Sequence, residues 1–154
     1  MPRLAVALWA AQLLSVGATA MSAQDSSYDV NALRVESQRG NLQIVRGIEG
    51  KVVARSGIFH GPMVASLVTQ SDSALAQARV FERDYMPGQL IAGLGIATFG
   101  AAIGVWRIND VNPTIPTALT IVSVSLITDG GSKLESAYRA LSKAIWWYNR
   151  DLKK

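Results

Sequence analysis

At 154 residues the chain has room for one modest domain, and with 49% hydrophobic and only 17% charged residues it falls well below the roughly 25% charge of soluble domains. Its net charge of +4 has one address: in Ser132–Lys154, six Lys or Arg outnumber Glu135 and Asp151. A single basic tail is not a nucleic-acid footprint, so no nucleic-acid partner is expected, and the absence of cysteine excludes disulfides, a lipoprotein anchor and thiolate metal sites.

The N-terminus has the three-part layout of an export signal. Met1-Pro-Arg3 is positive, Leu4–Val16 is apolar, and small residues at Ala18-Thr-Ala20 and Ser22-Ala23 precede polar Gln24-Asp25. Residues 1–23 are therefore read as a signal peptide cut after Ala20 or Ala23, with an uncleaved anchor helix as the other reading. The polar stretch Gln24–Arg39 reads as a disordered lead-in.

Leu42–Ile48 and Lys51–Ser56 are β-branched runs either side of Glu49-Gly50, which predicts a β-hairpin within an exported region spanning 24–60. Two strands alone are marginal in water and need a partner surface. Pro62 suits a helix start, so 61–87 is read as a short helix over Met63–Thr69 followed by Ala74–Tyr85, with Ser71, Asp72 and Ser73 as N-cap candidates. Met86-Pro87-Gly88 offers a kink.

Gly88–Trp106 carries no charged residue and is long enough to cross a hydrocarbon core of about 30 Å. Gly93, Ala97, Gly100, Ala101 and Gly104 line up at helical spacing as a small-residue packing face, directed at the chain's own second helix or at another molecule. Tyr85 and Trp106 bracket the segment, as aromatic rings do at membrane interfaces. After the polar turn 107–114 comes a second, weaker apolar segment, 115–131, diluted by Thr and Ser and closed by Asp129. Ser132-Lys-Leu-Glu135 reads as a capping box opening a basic amphipathic helix over 132–154. Trp146, Trp147 and Tyr148 are its candidate membrane-interface residues.

Two spans after an export signal return the basic tail to the exported side, against the positive-inside rule. Either the signal overrides that bias or the second segment does not cross. Catalytic equipment is thin. His60 is the lone histidine beside a Gly-Pro turn, and no nucleophile elbow or metal-ligand spacing occurs, so neither enzyme activity nor a cofactor is expected.

The layout of signal, extended region, glycine-rich hairpin and a final helix ending Ala144-x-x-x-Tyr148-Asn149 resembles small uncharacterised bacterial envelope proteins. The resemblance implies a location and no activity. The expectation is thus a mainly α membrane protein with a two-helix transmembrane hairpin, a small β-hairpin region and a C-terminal amphipathic helix. It would sit in the bacterial inner membrane with both flanking regions periplasmic. Its partners would be the lipid bilayer and a second copy or another envelope protein, in a non-enzymatic anchoring or interaction role. The alternative is a small oligomeric pore-forming or membrane-perturbing protein built on the glycine-rich helix.

Overall fold

Three short strands form an antiparallel sheet in the order β1 (Leu33–Gln38), β2 (Asn41–Arg46), β3 (Lys51–Arg55). The computed structural model describes residues 28–38, 41–56, 61–108 and 112–153. The signal-peptide expectation for 1–23, His60 and the centre of the 107–114 turn lie outside the described residues. Strands β2 and β3 are the expected hairpin, with a bulge between Ile44 and Val45. The turn joining them uses Gly47 and Gly50, both at positive φ (71° and 69°). Gly47 is needed twice over, because a Cβ there would also stand 2.7 Å from the Val30 carbonyl oxygen.

Strand β1 corrects the disordered lead-in. Leu33-Arg-Val-Glu-Ser-Gln38 has one fully buried side chain, Leu33, and five exposed residues after it. Its order comes from pairing along β2, Leu33 opposite Arg46 through Gln38 opposite Asn41. Backbone pairing to the neighbouring strand, with a single buried side chain, leaves no hydrophobic period to read in so polar a strand.

Two long helices make up the rest: α1 (Asp72–Trp106, 35 residues) and α2 (Thr114–Asp151, 38 residues), about 52 and 57 Å long. They pack together as an antiparallel pair. Each carries a buried residue every seventh position: Ala74, Phe81, Gly88, Gly95 and Ala102 on α1, and Pro116, Ser123, Gly130, Ala137 and Ala144 on α2. A seven-residue period keeps one seam facing the partner helix along its whole length. Most of these residues are small, so the backbones approach closely. A Cβ on Gly95 would lie 2.8 Å from the Ile127 nitrogen, and one on Gly130 would overlap the Ala92 backbone.

That seam overrides three local signals. Pro87 lies inside α1 and does not end it; its ring is exposed, and the turns on either side are held by Tyr85 and Gly88 against the core and α2. Gly130-Gly131 lies within α2, with Gly130 serving close approach instead of a break. Ser132 opens no helix: its hydroxyl bonds back to the Asp129 carbonyl at 2.8 Å. The expected helix Ala74–Tyr85 and segment 88–106 are therefore joined within α1, and segment 115–131 and the expected basic helix up to Asp151 within α2. The short helix expected over Met63–Thr69 is a single 3-10 turn, Ala65–Leu67. Val64 and Val68 flank it and are wholly buried, and the Glu82 carboxylate accepts from the Ala65 N–H at 2.8 Å.

The core lies at one end of the helix pair, where the sheet meets it. Leu33, Leu42 and Ile44 from the sheet pack with Val64 and Val68, with Ala78, Phe81 and Tyr85 of α1, and with Leu141, Ala144, Ile145 and Tyr148 of α2. The start of α1 and the end of α2 are tied there by a 2.6 Å hydrogen bond from the Ser71 hydroxyl to Asp151.

Replacing Gly130 by Ala should cost about 1–3 kcal/mol, since the Ala92 backbone must move. Gly93→Ala, with nothing within 4 Å of the new Cβ, should stabilise by up to about 1 kcal/mol through helix propensity. Denaturant unfolding in detergent, followed by far-UV circular dichroism, separates the two.

Candidate functional site

Away from the sheet, the helix pair changes character. From Tyr85 to Trp106 on α1 and from Thr114 to Thr128 on α2 there is no charged residue. Large apolar side chains point outward instead. Leu90, Leu94, Ile96, Ile103 and Trp106 of α1, with Ile115, Ile121, Val122 and Val124 of α2, are each more than 40% exposed. Helix α1 is long and apolar enough to cross a membrane, with a mean hydropathy of 1.6 over its most apolar stretch, of which only 17% is buried. A core helix of a water-soluble protein would pass the same hydropathy test but would be mostly covered. This one is mostly uncovered, and a continuous apolar surface of this kind marks an interaction surface for protein or membrane.

Six hydroxyls of this half are satisfied without water. The hydroxyls of Thr98, Thr117, Thr120, Ser125 and Thr128 each donate to the carbonyl four residues back, at 2.8–3.0 Å. Ser123 donates to the Thr120 carbonyl at 2.7 Å. Internal satisfaction of every polar group is what an apolar medium demands of a helix.

The small-residue face is open. Gly93, Gly100 and Gly104 have nothing within 4 Å of an added Cβ, and Ala97 and Ala101 are exposed beside them. Packing against the chain's own second helix, one of the two expectations, runs instead through Gly88, Gly95 and Ala102 on the opposite side of α1. The seven-residue spacing was the available signal for that seam. It was hidden by a G-x-x-x-G stripe whose spacing is equally regular.

The interface aromatics divide. Trp106 is exposed at the far end of α1. Tyr85 and Tyr148 are not surface residues: they are 2% and 5% exposed, and the Tyr85 ring packs 4.9 Å from Phe81. Trp146 and Trp147 meet edge to face at 4.8 Å, with the Arg150 guanidinium 3.7 Å over Trp147. They lie some seventeen residues beyond Asp129, about 26 Å along α2, at the sheet end of the pair. There the cation and rings form a surface cluster of the small domain.

Asn149, the last residue of the Ala144-x-x-x-Tyr148-Asn149 ending, closes the fold. Its Oδ1 accepts from the Leu33 N–H and its Nδ2 donates to the Leu33 carbonyl, both at 2.8 Å. The side-chain amide thus stands in for a neighbouring strand at the outer edge of β1. Ala144 and Tyr148 face the core, so the whole ending is structural. Between this domain and the apolar half lies a polar belt. The Asp84 carboxyl is held below its ordinary range, chiefly by the Arg83 guanidinium at 2.7 Å and, more weakly, by the Ser136 hydroxyl at 3.3 Å. Burial pulls it the other way.

Asn149→Ala should cost about 1–3 kcal/mol by stranding the Leu33 amide and carbonyl. Hydrogen exchange at the Leu33 amide should accelerate with it, while amides in the middle of α1 keep their protection.

No protein-family model, curated protein or solved structure matches the chain.

Proposed function

We propose that this chain is a non-enzymatic integral membrane protein of the bacterial envelope, held in the inner membrane by the apolar half of its helix pair. The small sheet-and-helix domain is then presented on the periplasmic side as a contact surface for another envelope protein. The observation that carries this reading is the charge-free, outward-facing apolar band common to both helices. Water disfavours such a surface at roughly 25 cal/mol per Å², whereas lipid accommodates it. Sidedness is supported by the export-like N-terminus together with the placement of the sheet, the first turns of α1 and the last turns of α2 at the same end of the helix pair. In that arrangement the basic C-terminal half of α2 cannot lie on the opposite side from the sheet it packs against, whatever the positive-inside bias.

The second reading is a small oligomeric pore or membrane-perturbing protein. It is favoured by the open stripe of Gly93, Gly100 and Gly104, a surface on which helices of separate molecules can approach closely. The hydroxyls of the apolar half argue for the anchor, because their bonds to their own helix leave no polar lining to spare.

Reconstituted into liposomes loaded with a self-quenched dye, the protein should resist extraction by alkali and release no dye. Leakage that Gly100→Leu abolishes would instead select the pore.

A further inference from the structure

The two helices do not carry equal apolar lengths. On α1 the charge-free run from Tyr85 to Trp106 measures about 32 Å at 1.5 Å per residue. On α2 the run begins at Thr114 and is closed by Asp129, after about 22 Å. Contacts across the pair fix the relative height of the two runs. Gly95 meets Leu126 and Ile127, Gly130 meets Ala92, and Gly88 meets Leu134. Asp129 therefore stands level with Gly93, eight residues past Tyr85 and about 12 Å toward the tip. Its residue is exposed, and Lys133 follows one turn later on the same side of α2. The layer that is free of charge on both helices at once, from the level of Asp129 to the level of Trp106, is about 20 Å deep.

A typical hydrocarbon core is about 30 Å thick. Tilting a helix pair shortens its reach across the bilayer and so widens the shortfall. Snorkelling serves long side chains such as Lys133, but the short Asp129 carboxylate cannot climb to the headgroups on its own stem. The remaining way to keep it hydrated is for the bilayer to come to it.

We infer that the helix pair is matched to a hydrocarbon layer about 20 Å deep, with Asp129 and Lys133 at headgroup level, so that its membrane partner is a bilayer that is thin or is thinned around it. This rests on the membrane reading above. It adds what that reading does not specify: the upper part of the α1 run, Tyr85–Ala92, stands beside headgroups and not among acyl chains. That placement agrees with the Gln89 side chain on the same stretch, whose amide donates to the Tyr85 hydroxyl at 2.9 Å.

The test is reconstitution of the full chain into phosphatidylcholine vesicles whose monounsaturated chains have fourteen, eighteen or twenty-two carbons, followed by alkaline extraction and flotation. The fraction that stays inserted should be greatest in the fourteen-carbon vesicles and fall about tenfold toward the twenty-two-carbon ones. Asp129→Leu, which extends the apolar surface of α2 by about a turn, should move the optimum to the eighteen-carbon vesicles. Asp129→Asn, which removes the charge and keeps the shape, should move it in the same direction. Equal insertion at all three thicknesses, or a profile that neither variant moves, overturns the thin-layer inference and leaves the membrane reading standing. Loss from all three kinds of vesicle overturns both.

Discussion

The close approach of α1 and α2 is what the rest of the structure depends on. Gly88, Gly95 and Gly130 bring the two backbones so near that a single added carbon at these positions meets backbone or side-chain atoms of the other helix at 3.0 Å or less. Close contact along a seven-residue seam does two things. At the sheet end it lets the seam residue Phe81 and the flanking Tyr85, Leu141, Ile145 and Tyr148 gather into a core with Leu33 and Ile44. At the other end it uses so little of each helix's surface that the remaining side chains, nearly all apolar, face outward. One seam thus serves a domain of ordinary construction and an apolar rod continuous with it.

This continuity explains why the sequence was legible in its parts and not in its joints. The charge-free run ending at Trp106 and the alternating strands around Glu49-Gly50 carry their signals locally, and both elements are present. The boundaries drawn at Pro87, at Gly130-Gly131 and at Ser132 rested on signals that hold for isolated helices. A proline in a helix costs about 3 kcal/mol and a glycine about 1. Packing along nearly the full length of two helices outweighs penalties of that size, so the breakers sit inside helices. Strand β1 was illegible for a related reason: its order comes from β2 and from Asn149, more than a hundred residues away. Tyr85 and Tyr148 were misplaced because an aromatic at the end of an apolar run looks alike whether it ends at a headgroup or inside a small core.

Electrostatics sorts the molecule along its length. Every ion pair formed among the described residues, Arg83 with Asp84, Glu135 with Arg139 and Arg150 with Asp151, belongs to the sheet half. The described residues of the other half form none, and six of its hydroxyls are turned back on their own helices. Segregation of this kind is costly for a protein immersed wholly in water and natural for one that lies across a boundary between water and an apolar phase. The uneven lengths of the two apolar runs then make Asp129 the residue that sets how deep that phase can be.

The central claim is that the apolar half of the pair lies in hydrocarbon while both of its connections to the small domain lie on one side. Cysteine accessibility tests it most directly, because the chain has no native thiol. With single cysteines at Ser56, Asn109 and Ser142, a membrane-impermeant thiol reagent added to cells with a permeabilised outer membrane should label the first and third and spare the second. Labelling of all three positions, with the protein recovered in the soluble fraction, would contradict it.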